Sequence, residues 1–190
     1  MLYCVFDTCK LALHYTQAAY TKFPRFFREV MNRLHPSEIM FYSVDGVSGY
    51  MTNLFPAKFV EKENREWKSS EHYYQAHKFA WSHEGLLFEL VRSQPTAILC
   101  YKTAYQHQEM FDREWTHVKD RHMWEALKYK FGQNLDLTIR LKDSGNKKLI
   151  EHALKNAHYG CGKDHKDKNT LGRMLIALRD GREWALRIVR

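Results

Sequence analysis

Cysteines are few in this chain, and they do not form the pairs that metal sites and disulfide frameworks use. The sequence contains 4 cysteines, Cys4, Cys9, Cys100 and Cys161, among 190 residues. No CxxC spacing occurs among them. This pattern excludes a zinc knuckle and a disulfide-stapled scaffold. Reduced thiols are the simplest interpretation, and they are typical of an intracellular protein.

The chain also lacks any long apolar run. No segment approaches the roughly 20 apolar residues that a membrane-spanning helix needs, so we expect no membrane partner. The apolar start of the chain is interrupted by Asp7 and Lys10, and it lacks the basic-then-apolar order of a secretory signal. Internal repeats and low-complexity linkers are absent as well. These absences predict a soluble intracellular protein, cytoplasmic or, in a eukaryote, also nuclear.

Aromatic and basic residues are abundant instead. Hydrophobic residues make up 44% of the chain, aromatic residues 14% and charged residues 27%, which is enough apolar material for a packed core. The formal net charge is +8 and the isoelectric point is near 9.3. Such a charge favours polyanionic partners, either phosphorylated ligands or nucleic acid.

The apolar patterns divide the chain into three parts. Residues 1–38 are predicted to form an N-terminal helical extension, because apolar residues between positions 11 and 34 recur at helical spacings. Residues 39–182 are predicted to form one main domain, and residues 183–190 a C-terminal tail. The main domain is predicted to be a mostly helical α+β fold with a small sheet or hairpin.

Short extended segments and helices alternate along this domain. Phe41 and Tyr42 begin an extended segment, residues 59–61 and 66–68 can pair as a hairpin, and residues 149–152 look extended. Helices are predicted over residues 71–81, 86–91, 95–105 and 118–131, the last stopping at Gly132, and over a final segment that Asn169 caps and that ends by Gly181.

Residues 135–141 are ambiguous. Leu135, Leu137, Ile139 and Leu141 alternate with polar residues, which favours a strand. A helix remains possible for so short a run.

The segment WKSSEHYYQAHKF, residues 67–79, is the first candidate site. Ser70 is predicted to cap a helix whose first residue is Glu71, and the positive end of the helix dipole should keep that carboxylate ionised. Gln75 and Lys78 project from the same side as Glu71. The alternative is an ordinary solvated helix face, in which such charge patterns are common.

A glycine- and lysine-rich loop before the last helix is the second candidate site. Gly160 and Gly162 would let the backbone approach a ligand, and the helix that follows offers free N–H groups to a phosphate. The alternative is a solvated basic loop. The loop surrounds these glycines with positive charge from Lys163, His165, Lys166 and Lys168.

Two further interpretations of this loop find little support. His158, Cys161 and His165, with Asp164 or Asp167, have a spacing that fits no zinc motif. A nucleophile built on Cys161 lacks an orienting third group.

Trp115 is a separate candidate. It follows Arg113 and Glu114 in a polar context, where an indole can stack on a base or a ribose. The alternative is an ordinary core tryptophan.

Together these segments resemble the NADAR family over about residues 40–180. The matching pieces, in the family's order, are Phe41-Tyr42, Asn53-Leu54-Phe55, Ser70-Glu71-His72-Tyr73-Tyr74-Gln75-Ala76 with Lys78-Phe79, Trp115 followed by Lys119, Leu149-Ile150-Glu151-His152, and Lys168-Asn169 with Leu171-Gly172 and Leu175.

The resemblance implies hydrolysis of an N-glycosidic bond between ribose C1 and a nitrogen, without a metal or redox cofactor. Family members act on ADP-ribosylated guanine in nucleic acid or on phosphorylated ribosylamine intermediates of riboflavin synthesis. The ligand expected here is therefore ADP-ribose or another phosphorylated ribosyl group. Catalytic roles are implied for Glu71, Lys78 and Trp115, and ligand binding for Asn53, Tyr74, Gln75, Arg113, Tyr159, Gly160, Cys161, Gly162, Asp164, Lys168 and Asn169.

The chain departs from the family at Cys161, where the family loop carries an aspartate. Three possibilities stay open at this point: Asp164 or Asp167 takes over, the substrate differs, or activity is reduced. The net charge favours ADP-ribosylated guanine in nucleic acid as the substrate. The alternatives are a riboflavin-pathway ribosylamine and a binding module without catalysis.

Overall fold

The computed structural model describes residues 37–80, 85–163 and 167–184, so the predicted extension up to residue 36 and the end of the predicted tail lie outside the described residues. The described part is the mostly helical α+β fold that the sequence predicts. Its elements are β1 (Glu38–Phe41), β2 (Phe59–Val60), β3 (Glu66–Trp67), α1 (Ser70–Ala76), α2 (Leu86–Ser93), α3 (Ala97–Gln106), α4 (Trp115–Gln133), α5 (Leu135–Lys142), β4 (Lys148–Glu151) and α6 (Thr170–Arg179).

The strands form two small sheets. β2 and β3 pair antiparallel, with Phe59 opposite Trp67, which confirms the predicted hairpin. β1 and β4 pair in parallel, with Phe41 opposite Glu151. A parallel pair needs a long crossover connection, and here that connection contains helices α1 to α5.

Residues 135–142 form helix α5, so the predicted strand is wrong. Burial explains the error: Leu137 and Leu141 are buried, whereas Leu135 and Ile139 are 72% and 50% exposed. The buried residues are thus four positions apart, which places them on one face of a helix. Alternation in hydrophobicity did not correspond to alternation in burial.

Helix α4 is longer than predicted and passes through Gly132. It ends at Gln133, because Asn134 leaves the helical region with φ −121° and ψ 89°. The side-chain amide of Asn134 donates to the carbonyl oxygen of Lys130 at 2.7 Å, and this bond satisfies one of the free carbonyls at the helix end.

Helix α1 lies between two apolar clusters. Tyr74 belongs to the cluster that includes Phe41 and Leu171, whereas Tyr73 and Ala76 belong to a second cluster around Trp67 and Phe79. All seven residues of α1 are buried. The polar side chains of α1 therefore face the interior, and the alternative of an ordinary solvated helix is wrong.

Helix α6 packs closely on β4. A Cβ atom added at Gly172 would lie 2.0 Å from the carbonyl oxygen of Leu149, so only glycine fits there. Asn169 precedes the helix in the left-handed region, with φ 44° and ψ 44°, and its side chain makes no capping bond. The side chain instead donates to Leu149 O at 2.8 Å and accepts from Glu151 N at 2.9 Å. Asn169 therefore does not cap α6 as predicted, and its side chain binds the backbone of β4 instead.

None of the described helices is both long enough and apolar enough to cross a membrane.

Candidate functional site

The first turn of α1 positions the central carboxyl group of the site. Ser69, rather than the predicted Ser70, caps the helix by accepting a hydrogen bond from His72 N at 3.3 Å. The α-helix ends at Ala76 and continues as a 3₁₀ turn over His77–Phe79, short of the predicted end near residue 81, which is not among the described residues. This local geometry sets Glu71 and Gln75 one turn apart.

Glu71 is buried and held by three hydrogen bonds. Its backbone N–H donates to Asn53 O at 2.9 Å, and the Asn53 side-chain amide donates to its Oε2. The Gln75 amide donates to Oε1 at 2.7 Å. The carboxyl group is thus fixed in orientation by two neutral donors, one from its own helix and one from the preceding loop.

Burial raises the pKa of Glu71 above its ordinary value, although the Gln75 bond, the charge of Lys78 and the Asn53 bond all act to lower the pKa. The sequence predicted that the helix dipole would dominate and keep this group ionised. The physical reason for the difference is desolvation, which penalises the charged form of a fully buried group.

Lys78 carries the positive charge that acts on this carboxyl group. It is only 2% exposed, and burial lowers its pKa to about 8, against the opposing effect of Glu71. Its ammonium nitrogen lies 4.3 Å from the ring centre of Tyr105 and 4.4 Å from that of Phe111. The ring faces stabilise the cation, and neither ring was expected at the site.

Trp115, Tyr74 and Tyr159 form an aromatic wall beside the lysine. Tyr74 meets Trp115 edge-to-face at 4.9 Å and Tyr159 edge-to-face at 5.6 Å. One face of the Trp115 indole stacks on His122 at 5.6 Å. Trp115 is therefore both a core residue and part of the wall.

The glycines of the second candidate site lie against other parts of the protein, not against an open space for a ligand. A Cβ atom at Gly160 would lie 2.5 Å from the Ala153 side chain, and one at Gly162 would lie 1.6 Å from a carboxylate oxygen of Asp167. Gly162 also has a φ of +66°, which favours glycine. These two glycines are thus required by packing, a role that the sequence interpretation missed.

Cys161 is a buried residue of this loop, and burial raises the pKa of its thiol to about 11. A neutral thiol is a poor nucleophile. His158 is bound to Asp120 at 2.6 Å, and Asp120 also accepts a hydrogen bond from the Tyr159 hydroxyl at 3.0 Å. Within the described ranges, no three His, Cys, Asp or Glu side chains converge on a possible metal position.

Glu151 is a functional candidate that the sequence analysis overlooked. It is 8% exposed, and burial, with the charge of Glu71 as the second cause, raises its pKa to about 8. The available signal was its position: Glu151 lies two residues after Leu149, on the buried face of a strand. A carboxyl group on an apolar strand face is unusual.

The remaining predicted residues lie apart from the buried centre. Arg113 and Lys168 are exposed. Asn169 uses both polar atoms of its side chain to hold β4. Asp164 lies outside the described residues, and Asp167 is exposed with its carboxylate against Gly162. The structure thus brings together Asn53, Glu71, Tyr74, Gln75, Lys78, Trp115 and Tyr159.

Comparison with known proteins identifies the family. The family model described as the NADAR domain matches residues 40–181 of the chain. The chain belongs to the NADAR family. The resemblance seen in its motifs is therefore confirmed, and the match covers every described element except the first two residues of β1.

Named relatives and one solved structure agree with this. The N-glycosidase YbiA of Escherichia coli (strain K12) is 29% identical over 153 residues, which cover 80% of this chain and 93% of that protein. A riboflavin biosynthesis protein of Vibrio vulnificus is 31% identical over 152 residues, covering 80% of this chain and 40% of that protein. The NMR structure of E. coli YbiA matches with a TM-score of 0.68 at 30% identity, over 76% of this chain and 84% of that one.

Proposed function

We propose that this protein hydrolyses the bond between C1 of a ribose and a nitrogen atom, and that it removes ADP-ribose from N-ADP-ribosylated guanine in nucleic acid. The observation that carries the proposal is the buried Glu71 carboxyl group, oriented by Asn53 and Gln75 and facing the charge of Lys78. The printed name of the YbiA relatives, N-glycosidase, supports the same class of reaction.

Glu71 suits the chemistry of ribosyl transfer. Cleavage of a ribosyl C–N bond passes through a state with positive charge at C1 and the ring oxygen, and a fixed carboxylate in a water-poor site stabilises such charge strongly. Each oxygen of Glu71 accepts one amide donor and retains a second lone pair. That lone pair is available to the sugar or to an attacking water.

Lys78 supports the ionised form of Glu71. Because burial disfavours a lone carboxylate, a cation close to Glu71 is needed to keep the site anionic at neutral pH. Lys78 is itself buried, between aromatic rings, so its charge acts on the carboxyl group more than on solvent. We assign Lys78 this electrostatic role and assign the phosphates to other basic groups.

The aromatic wall gives the leaving base a surface to contact. Trp115, Tyr74 and Tyr159 lie edge-to-face beside the lysine, and every nucleobase has a face that can stack on such rings. Exposed Arg113, Lys163 and Lys168 flank this region in the sequence and would contact phosphates.

Net charge favours a nucleic-acid substrate. A chain with a net charge of +8 is attracted to a phosphate backbone, and this raises both encounter rate and affinity. A small phosphorylated metabolite needs only a local basic pocket. The alternative substrate, a phosphoribosylamine intermediate of riboflavin synthesis, is favoured by the similarity to a protein named for riboflavin biosynthesis.

The experiment that separates these possibilities uses the full chain and two substrates. The protein is incubated with an oligonucleotide that carries N-ADP-ribosylated guanine and, separately, with a ribosylaminouracil phosphate, and the released sugar is quantified. We expect release from the oligonucleotide and a much slower reaction with the metabolite. A preference for the metabolite would replace the proposed substrate, and tight ADP-ribose binding without turnover of either would refute the enzymatic function.

A further inference from the structure

Glu151 is a buried carboxyl group whose side chain is not satisfied by the fold. Its Oε2 atom is buried and has no hydrogen-bond partner in the part of the chain that the structure describes. Its backbone, by contrast, is fully used: the N–H donates to Asn169 Oδ1 at 2.9 Å, and the carbonyl accepts from Cys161 N at 2.9 Å. The strand therefore holds the side chain rigidly while Oε2 stays unpaired.

An unpaired buried carboxylate costs several kcal/mol, so the charges around Glu151 decide its state. The groups that act on it are the Glu71 carboxyl group from α1 and the Cys161 thiol from the loop above it. Glu71 is an anion in the active form of the site, and the thiol is neutral. No cation among the described residues acts on Glu151, and its pKa is raised to about 8.

The carboxyl groups of Glu71 and Glu151 differ in the hydrogen-bond donors and charges that surround them. Glu71 receives amide donors from Asn53 and Gln75 and the charge of Lys78, all of which stabilise the anion. Oε2 of Glu151 receives none of these. When neighbouring carboxyl groups have such different surroundings, one ionises and the other keeps its proton, as in acid–base pairs of many enzymes.

We propose that Glu151 is the acid partner of Glu71 and donates its proton from Oε2 to the leaving nitrogen of the substrate. This inference rests on the proposed N-glycosidase function. As the C1–N bond breaks, its electron pair stays on nitrogen and takes the proton of Glu151. The oxygen of a water molecule forms the new bond to C1, and the surplus proton of that water passes to Glu71. Return of this proton through solvent to Glu151 restores the resting site.

This assignment gives the site a second carboxyl group although the loop carries Cys161 in place of an aspartate. Glu151 lies on β4 directly beside this loop, since its carbonyl oxygen accepts a hydrogen bond from Cys161 N at 2.9 Å. Asp167, the other described candidate, is exposed and packs against Gly162. The strand carboxyl group is therefore the better placed of the two to remain protonated.

Kinetics of Glu151→Gln test the proton transfer. Glutamine keeps the size of the side chain but cannot donate an acidic proton, so kcat on the ADP-ribosylated oligonucleotide should fall by about 10²–10⁴-fold. The wild-type rate should decline above about pH 8, where both Glu151 and Lys78 lose their protons. The variant should show a shallower decline, because Lys78 alone then sets it. The matched control is Glu61→Gln, a second buried carboxyl group with a raised pKa that lies in the β2–β3 hairpin and should leave kcat unchanged.

A spectroscopic measurement on the wild-type protein keeps the test independent of activity and of the folding of any variant. The ¹³C shift of each assigned glutamate carboxyl group is followed against pH without substrate. Glu151 should stay protonated at neutral pH and ionise near pH 8. Ionisation of Glu151 below neutrality, or a Glu151→Gln rate equal to that of wild type, would overturn the proposal. Failure of the wild-type protein to release ADP-ribose would instead refute the proposed function.

Discussion

Two lysines are buried in the described part of this protein, and their surroundings differ in kind. Lys130 is fully buried, and its ammonium group donates to the carbonyl oxygens of Tyr50 and Thr52, each at 2.7 Å. Lys78 is almost as buried but is surrounded by ring faces and acts on the Glu71 carboxyl group. Burial lowers the pKa of Lys130 to about 7 and that of Lys78 to about 8.

This difference in surroundings indicates a structural role for Lys130 and an electrostatic role at the site for Lys78. Lys130 satisfies backbone acceptors just before Asn53, and so it holds the loop that delivers the Asn53 amide to Glu71. The Lys78 ammonium group donates to no backbone carbonyl of the described residues, and its charge acts on the Glu71 carboxyl group instead. Burial and a lowered pKa are therefore insufficient to identify a catalytic lysine, whereas the identity of the neighbouring groups decides it.

Of the two lysines, Lys78 should show the larger effect when it is replaced, and the effect should be on activity. In Lys78→Met, Glu71 loses its cation and becomes protonated at neutral pH, so we expect kcat to fall by about 10²–10³-fold. The free energy of unfolding should change by less than about 1 kcal/mol, because an apolar side chain fits between the rings. Steady-state kinetics and urea denaturation on the same preparation measure both quantities.

The control for this prediction is Lys128→Met, which removes an exposed lysine of α4 and should alter neither quantity. A Lys78→Met protein with wild-type activity would remove the distinction between the two lysines.

Replacing Lys130 should act on stability. In Lys130→Met, the carbonyl groups of Tyr50 and Thr52 lose their donor in the interior, and each unsatisfied group costs about 1–3 kcal/mol. We expect a loss of about 3 kcal/mol or more in the free energy of unfolding, measured by urea denaturation at neutral pH. A loss below about 1 kcal/mol would mean that other donors replace the lysine.

The partly buried histidines His77 and His122 extend the comparison to acid conditions. His77 and His122 lie with ring centres 4.6 Å apart, and burial lowers the pKa of each to about 4. In the unfolded chain a histidine binds its proton near pH 6.5. Above that value the two histidines leave the free energy of unfolding unchanged, and as pH falls from there towards about 4 the free energy of unfolding declines.

The substitution His122→Phe tests this pH dependence. It keeps a ring against Trp115 and removes one titrating group whose Nδ1 has no partner in the described structure. Stability measured between neutral pH and pH 5 should decline less steeply in the variant than in wild type. An identical decline in both proteins would assign the acid sensitivity to other groups.

The smallest expected effect concerns the start of α1. Ser69→Ala removes the capping oxygen and should cost about 1 kcal/mol in the free energy of unfolding. The matched control is Ser70→Ala, since the Ser70 hydroxyl is buried without a partner among the described residues and contributes no capping bond. Equal losses in the two variants would contradict the observed cap and favour the one predicted from the sequence.

Local sequence patterns predicted much of this fold, but they could not predict the contacts between residues that are far apart in the chain. The hairpin at Phe59 and the helix at Glu71 depend on neighbouring residues, so their signals lie within short segments. The parallel pairing of Phe41 with Glu151 joins strands that are separated by the α-helices α1 to α5, and no short segment encodes it. The strand prediction at Leu135 failed because alternating hydrophobicity says nothing about which leucines are buried.

The site divides in the same way. Glu71, Gln75 and Lys78 are visible in the sequence because they share one helix face, and Asn53 was found through the family motif. Glu151 was missed as a site residue because its importance comes from burial beside a carboxyl group that lies 80 positions earlier in the chain. The ring contacts of Tyr105 and Phe111 with Lys78 likewise exist only after the 3₁₀ turn that follows α1 has packed against α3 and the segment between α3 and α4.

The decisive measurement is the single-turnover rate of Glu71→Gln on an oligonucleotide with N-ADP-ribosylated guanine, alongside the ADP-ribose affinity of the same preparation. If Glu71 is the essential carboxylate, the rate should fall by at least about 10³-fold while the affinity stays within about threefold of wild type. A variant that releases ADP-ribose at nearly the wild-type rate would show that the reaction does not depend on this carboxyl group.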